Sequence, residues 1–269
     1  MKLNSTKLNS GLLRAVPLLA VMAASILSAC SHNPPEYQRP VRTYKKEPAK
    51  AAVANMQLAI EYMKLGQLSN ARECIEKALT EDVSNPDVQM TAGLVYERIN
   101  EMSKAEHAYA AANRLGKGDP NIANAYAVFL CRTGKTAAGE KLFVDAANNP
   151  LYQTPWVALG NAGACARGSG DMAEAEKYFN RALAIRPNYT EALLQLGNIA
   201  FDRGDAAQAR DIVQRYLAVN PSTPEVLWLG FRAQRKLGDS VAAAVYARRV
   251  QTEFPNSEQA QNMRNGVDR

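Results

Sequence analysis

The sequence has few of the side chains that most often carry chemistry. It contains only two histidines, His32 and His107, and four cysteines in 269 residues. Neither histidine lies in a metal-binding spacing such as His-Glu-x-x-His, and neither has an evident partner for nucleophilic catalysis. The segment Gly116-Lys117-Gly118 lacks the Gly-x-x-x-x-Gly-Lys-Ser/Thr spacing of a phosphate-binding loop. We therefore predict no catalytic residue, no metal site and no cofactor, and hence no enzyme.

A concentrated positive charge is also missing. The chain has 32 Lys and Arg against 26 Asp and Glu, which gives a formal net charge of +6. Lys2, Lys7 and Arg14 lie in a segment that we expect to be removed, and their loss lowers the net charge from +6 to +3. No block of Lys and Arg alternates with aromatic residues, as a nucleic-acid interface would require. We predict no nucleic-acid partner.

Residues 1–29 have the pattern of an export signal that is cleaved. Their three basic residues precede an apolar run of 13 residues, Ala15 to Leu27, whereas a membrane-spanning helix needs about 20. The end of the run leads into Leu27-Ser28-Ala29-Cys30, which resembles the lipobox of bacterial lipoproteins. The alternative is an ordinary secretory signal that ends near a cysteine.

The lipobox resemblance implies that Cys30 is the first residue of the mature chain. It also implies that Cys30 carries an S-diacylglyceryl group and an N-terminal acyl chain, which together anchor a protein durably at ~0.8 kcal/mol per buried CH₂. Ser31 stands where inner-membrane lipoproteins commonly carry Asp, so the implied location is the periplasmic face of the outer membrane. Residues 31–50 contain four prolines, and we predict a lipidated, flexible tether over residues 30–51.

The rest of the sequence repeats with a period of about 34 residues. Proline and glycine both recur at this interval, at Pro187, Pro221 and Pro255 and at Gly170, Gly204 and Gly238. Upstream the same interval separates Gly66, Asn100 and Gly134. Glycine and asparagine tolerate left-handed turns, and proline stops a helix. The period resembles the tetratricopeptide repeat (TPR), a helix-turn-helix unit.

This resemblance implies an all-α fold, a right-handed α-solenoid of six TPR repeats. We place the repeats at about 52–85, 86–119, 120–152, 153–189, 190–223 and 224–257, and a polar cap at 258–269. In each repeat a small residue of the first helix is expected to face a small residue of the second. These pairs are Ala59 with Ala71, Gly93 with Ala105, Ala127 with Gly139, Gly160 with Ala175, and Gly197 with Ala209.

The fourth repeat departs from this spacing. Gly160 and Ala175 lie three positions further apart in the sequence than the two residues of every other pair. We place three extra residues near Arg167-Gly168-Ser169-Gly170, and they are either a functional irregularity or a tolerated insertion.

The first helices of a TPR solenoid line its concave face, and we predict that this face is the partner-binding groove. Its first two repeats are rich in methionine, which suits an adaptable binding surface. The alternative for each residue is a place in the core between repeats. The predicted groove residues are Met56, Ile60, Met63, Met90, Leu94, Asn124, Val128, Val157, Asn161, Leu194, Asn198 and Phe201.

Two of the cysteines are also one repeat apart. Cys131 and Cys165 are separated by one period and lie near the ends of the first helices of neighbouring repeats. In an oxidising compartment we predict a disulfide between them, worth ~3–4 kcal/mol. The alternative is two buried free thiols. Cys74 has no evident partner, and we expect it to be buried.

Three segments resemble one family more specifically than the TPR pattern does. Asn124-Ala125-Tyr126-Ala127-Val128-Phe129-Leu130-Cys131 resembles the NNYGxFLC segment of the type IV pilus biogenesis lipoproteins, the PilF/PilW family. Segments 149–155 (NPLYQTP) and 161–165 (NAGAC) agree in order and spacing. Ala125 and Ala127 depart from the family by replacing its second Asn and its Gly.

The family resemblance implies a pilotin, an outer-membrane lipoprotein that helps the type IV pilus secretin to localise and to form its multimer. The groove would bind a segment of the secretin subunit, and we expect the protein to be a monomer. The alternative is another TPR lipoprotein that acts as a scaffold in outer-membrane protein assembly or in recruiting cell-wall hydrolases.

Overall fold

In the computed structural model, residues 48–266 are described, and every regular element among them is an α-helix. The predicted signal segment, Cys30 and the tether up to residue 47 lie outside these residues, as do residues 267–269. The helices are α1 (Pro48–Lys64), α2 (Leu68–Glu81), α3 (Pro86–Arg98), α4 (Met102–Leu115), α5 (Pro120–Arg132), α6 (Thr136–Ala147), α7 (Pro155–Gly168), α8 (Met172–Ile185), α9 (Thr190–Asp202), α10 (Ala206–Val219), α11 (Pro224–Lys236), α12 (Ser240–Glu253) and α13 (Glu258–Arg264).

Consecutive helices pair into six hairpins. The strongest contacts are α1 with α2, α3 with α4, α5 with α6, α7 with α8, α9 with α10, and α11 with α12. Each first helix also contacts the first helix of the next hairpin, from α1 with α3 to α9 with α11. Each hairpin therefore buries its apolar face against its neighbours, and the predicted all-α TPR solenoid is confirmed.

Turn residues and helix starts follow the period of the repeat. The turn inside each hairpin contains one residue with a positive φ, and these residues are Gly66, Asn100, Gly134, Gly170, Gly204 and Gly238. Asn100 has a φ of 63°, which asparagine tolerates better than most residues. Proline begins α3, α5, α7 and α11, where its missing N–H costs no hydrogen bond.

The core is filled at the positions that the repeat predicts. Ile75, Tyr109, Phe143 and Phe179 are almost completely buried, and Tyr62 is half-buried. The rings of Tyr109 and Phe129 lie 5.0 Å apart and join the second hairpin to the third. Two ends differ from the expected boundaries. Helix α1 already begins at Pro48, inside the predicted tether, and α13 buries Ala260 and packs Met263 against the core, so the predicted cap is not purely polar.

The structure corrects the register of the fourth repeat. A Cβ atom at Gly163 would lie 2.7 Å from the ring of Phe179, just as one at Gly93 would lie 2.8 Å from the ring of Tyr109. Gly163 therefore holds the place that we predicted for Gly160, and its spacing to Ala175 is the same as in the other pairs. Gly160 instead faces Tyr189, whose ring would lie 2.7 Å from an added Cβ atom.

The extra residues of the fourth repeat lie before its turn. Residues 148–154 connect α6 to α7, and this connection of seven residues replaces the four, 116–119, that connect α4 to α5. Helix α7 has 14 residues, one more than α5. The prediction of extra residues around Arg167–Gly170 was wrong because α7 contains two glycines three residues apart. It took Gly160, which follows Trp156-Val157-Ala158-Leu159, whereas Gly163 lies one period of 34 residues before Gly197.

Candidate functional site

The predicted groove residues lie on the first helices of five consecutive hairpins, and we call this set the first-helix surface. All of them are half-buried, so each contacts its own or a neighbouring repeat and also presents part of its side chain to solvent. The surface comprises Met56, Ile60, Met63, Met90, Leu94, Asn124, Val128, Val157, Asn161, Leu194, Asn198 and Phe201.

The end of this surface formed by α1 and α3 is apolar. Met56, Met63, Met90 and Leu94 pack against the core of the first two hairpins and remain partly exposed. These four residues therefore belong both to the core between repeats and to the exposed surface, the two alternatives that the sequence left open. An unbranched thioether side chain can change rotamer at low cost, so the exposed part of this strip can adapt to a ligand.

The middle of the surface contains a cavity between the third and fourth hairpins. Its volume is about 570 Å³, within the range of small-ligand pockets. Ala164 and Gly168 leave this space open because they have little or no side chain. Besides these two residues, the lining includes Val128, Cys131, Arg132, Thr136, Phe143, Asn161, Cys165 and Ser169.

Two contacts join α5 to α7 beside this cavity. Asn161 Nδ2 donates a hydrogen bond to Asn124 Oδ1 at 3.1 Å. Cys131 and Cys165 form a disulfide with a Cα–Cα distance of 5.7 Å. The family-like segments 124–131 and 161–165 thus contact each other. The third segment, 149–155, lies in the long connection before α7 and ends at the first residue of that helix.

The disulfide explains one residue of the repeat that the period left unexplained. Gly139 stands where most other repeats have alanine, at Ala71, Ala105, Ala175 and Ala209. An added Cβ atom at Gly139 would lie 2.5 Å from Cys131 Sγ and 2.9 Å from the carbonyl oxygen of Ala127. The sulfur occupies the space that an alanine methyl group would need. Cys74 is a free thiol and is half-buried, whereas we expected it to be buried.

A network of three polar side chains joins the second and third hairpins near the cavity. Arg132 Nη2 lies 2.7 Å from Glu97 Oε1, and the Tyr109 hydroxyl donates a hydrogen bond to Glu97 Oε2 at 3.0 Å. Burial, together with the nearby Glu97 carboxylate, raises the pKa of Tyr109 well above its usual value. The phenol therefore stays protonated and keeps donating at physiological pH.

The surface continues past α9 onto α11, which the sequence prediction missed. The aromatic–cationic cleft, as we call it, has a volume of about 290 Å³ and is lined by Phe201, Phe231, Arg232, Arg235 and Lys236. Trp228 packs behind it against Phe231. The signal was present in the sequence, because Trp228, Arg232 and Arg235 follow Leu194, Asn198 and Phe201 by one period each. The predicted groove residues end at Phe201 on α9, because the period was not followed into the sixth repeat.

Within residues 48–266 no helix has the length and apolar character to span a bilayer. The same part of the chain contains no group of three or more His, Cys, Asp or Glu side chains arranged to hold a metal ion.

Comparisons with known proteins agree with the repeat architecture. Two family models, each described as a tetratricopeptide repeat, match residues 56–120 and 166–235. The type IV pilus assembly protein PilF of Pseudomonas aeruginosa is 22% identical over 220 residues, which is 82% of this chain and 87% of that protein.

Two solved structures are similar over nearly their whole length. The crystal structure of PilW, described as a widely conserved type IV pilus biogenesis factor, has 29% identity and a TM-score of 0.67, and the match covers 79% of this chain and 97% of that one. The structure of Pseudomonas aeruginosa PilF has 22% identity and a TM-score of 0.66, and the match covers 82% of this chain and 100% of that one.

Proposed function

Since the chain belongs to the tetratricopeptide repeat proteins and is related in sequence and structure to PilF and PilW, we propose that it acts in type IV pilus biogenesis by binding a protein partner. The observation that carries this proposal is the likeness to PilW, at 29% identity and a TM-score of 0.67 over 97% of that chain. TPR solenoids bind segments of other proteins along the faces of their stacked helices.

We propose further that the partner is the subunit of the pilus secretin. Support comes from the three segments that resemble the PilF/PilW family. Asn124 and Asn161, one from each of two segments, hydrogen-bond to each other beside the central cavity, and both belong to the first-helix surface. These two segments thus contribute to one place on the molecule, at the third and fourth hairpins.

The mode of binding follows from the character of the surface. A helix or extended peptide of the secretin would insert apolar side chains between the methionines of α1 and α3 and into the central cavity. Asn198 would supply a polar contact from α9. Burying apolar area of this kind gives roughly 25 cal/mol per Å², so a few well-buried anchors suffice for binding. Activity of this kind makes and breaks no covalent bond.

The lipid anchor is part of the same proposal. Cys30, outside the described residues, would carry the acyl chains and hold the chain at the periplasmic face of the outer membrane. The repeats would then meet secretin subunits at the membrane where the channel assembles. Anchoring restricts the search for a partner to a thin layer and so raises its effective concentration.

A deletion strain tests the proposed function. Secretin multimers should be lost from unheated detergent gels and should return when the full chain is supplied on a plasmid. Normal multimers in the deletion strain, together with mislocalised β-barrel proteins or cell-wall hydrolases, would favour a different TPR scaffold. Normal multimers without any such defect would contradict both functions.

A further inference from the structure

We propose that the aromatic–cationic cleft of α9 and α11 binds an acidic segment of a partner protein. Carboxylates of this segment would pair with Arg232 and Lys236, and a neighbouring apolar side chain would pack on Phe201 and Phe231. The inference goes beyond the proposed function, because it concerns a different end of the molecule and requires no particular partner.

The geometry of the cleft presents positive charge on an apolar floor. The guanidinium of Arg232 lies 4.1 Å from the centroid of the Phe201 ring, and the ammonium group of Lys236 lies 5.1 Å from the same centroid. Arg235 lies 5.5 Å from the ring of Phe231, which packs 5.3 Å from Trp228. Each cation lies over a ring face, and this contact already restricts its rotamers. Binding an anion therefore costs less conformational entropy.

The charges of Arg232 and Lys236 are not balanced by acids of the described chain. Among residues 48–266, no carboxylate oxygen lies within 4.0 Å of either side chain. Both cations lie over the Phe201 ring, and Lys236 Nζ would lie 3.9 Å from a Cβ atom added at Gly204. Other cations on first helices do have such partners. Arg132 pairs with Glu97 at 2.7 Å, and Arg167 lies 3.9 Å from Asp202. Arg232 and Lys236 therefore have no complementary charge among residues 48–266, and a ligand can supply it.

The size and chemistry of the cleft favour an acidic peptide over other anions. A space of about 290 Å³ between two phenyl rings accepts one or two side chains. The planar guanidinium of Arg232 matches a carboxylate through two parallel hydrogen bonds. A nucleic acid would need a longer basic stripe with stacked aromatic side chains. The cleft also shares Phe201 with the first-helix surface, so the two are continuous at α9.

A peptide-display selection tests the proposal without assuming a partner. The full chain, purified in detergent, is used to select from a random peptide library at low salt. We expect the enriched peptides to be rich in Asp and Glu with at least one aliphatic or aromatic residue. Fluorescence anisotropy then measures the Kd of the most enriched peptide, which should rise at least tenfold in the double variant Arg232→Ala/Lys236→Ala and should also rise with salt concentration.

A matched pair of substitutions controls for the loss of two positive charges. Lys141 and Arg248 are exposed on the second helices α6 and α12, and Lys141→Ala/Arg248→Ala removes the same charge from another face. This control should bind the peptide like the parent, and circular dichroism should give the same thermal midpoint for all three proteins.

Three outcomes overturn the proposal. The first is an enriched set with no excess of acidic residues. The second is equal peptide affinity for the cleft variant and the parent. The third is loss of co-sedimentation with phosphatidylglycerol vesicles in the cleft variant while no acidic peptide is enriched, which would assign the cleft to lipid head groups instead.

Discussion

Gly139 illustrates how one residue depends on a contact that is remote in sequence. Among the glycines of residues 48–266, it has the shortest approach to a neighbouring atom, 2.5 Å from an added Cβ atom to Cys131 Sγ. Ala127, its paired residue on α5, contributes a backbone oxygen at 2.9 Å, which a rotamer change cannot remove. A methyl group at this place must therefore displace α5 or the disulfide.

We expect Gly139→Ala to lower the free energy of unfolding by about 1–3 kcal/mol, the usual cost of overpacking a core. Urea denaturation followed by circular dichroism measures the change. Gly168→Ala is the matched control, because nothing lies within 4 Å of an added Cβ atom there. Equal urea midpoints for the two variants would show that the space beside Gly139 is not filled by sulfur.

Cys30 is the residue on which the proposed location depends. Cys30→Ala removes the thiol that would be acylated, so we expect the chain to leave the outer-membrane fraction and secretin multimers to decrease. Fractionation and unheated gels from the complemented deletion strain measure both effects. If the variant remained in the outer membrane and supported assembly, the anchor would have to lie elsewhere.

Single residues were predictable where the period offered one candidate. Cys131 and Cys165 are each the only cysteine near their repeat position, and the structure joins them. Gly160 and Gly163 competed for one position, and the contact between Gly163 and Phe179 agrees with the spacing of 34 residues from Gly163 to Gly197. Neither the packing of Cys131 Sγ on Gly139 nor the half-burial of Cys74 has a signal in the sequence, because each depends on distances between helices.

At the scale of helices, the disulfide makes one connection stronger than the others. It joins α5 to α7 covalently, whereas other neighbouring first helices in the described stack are joined by noncovalent contacts, such as Arg132 with Glu97 between α5 and α3. In a solenoid each repeat depends on its neighbours, so a covalent link in the middle stabilises the hairpins on both sides.

Removing the link should have a large effect on stability. We expect Cys131→Ser/Cys165→Ser to lose about 3–4 kcal/mol of unfolding free energy, since the bridge closes a loop of 34 residues in the unfolded chain. Urea denaturation measures the loss. The parent protein treated with reductant should have the same urea midpoint as the variant without reductant. Alkylation of both cysteines in the untreated parent protein, or unchanged stability in the variant, would argue against the bridge.

Helix boundaries were predictable to the extent that proline, glycine and the period mark them. The positive-φ residues of the turns inside the hairpins, from Gly66 to Gly238, lie where the period placed them. The start of α1 and the long connection 148–154 were not predictable, because neither has a counterpart one repeat away. Helix α11 was predicted as a helix but not as part of the binding surface.

Over the six hairpins, the first-helix surface changes character along the stack. Methionines of α1 and α3 make one end apolar, the middle holds the cavity beside the disulfide, and the cleft of α9 and α11 makes the other end cationic and aromatic. A partner that ran along the whole surface would therefore need apolar residues at one end of its segment and acidic residues at the other.

The fold was predictable as a whole because nearly all the sequence signals that determine a TPR repeat lie within the repeat itself. Small residues, turn residues and helix stops recur once in every period, and contacts reach only neighbouring repeats. Ligand preference is not repeated in this way. It depends on which side chains differ between repeats, such as Met90, Val128 and Arg232 on different first helices, and on the space that they leave.

Co-purification of the secretin tests the central claim most directly. The tagged full chain is extracted from membranes in mild detergent, and the secretin is detected in the eluate. We predict that the secretin accompanies the parent protein, and that Met56→Asp/Met90→Asp lowers its recovery at least fivefold, because two carboxylates replace apolar anchors. Leu58→Asp/Val83→Asp, at side chains that are 49% and 63% exposed outside the surface, should retain it. The account is contradicted if no secretin accompanies the parent protein, or if the Met56/Met90 variant, folded by circular dichroism, recovers as much as the parent.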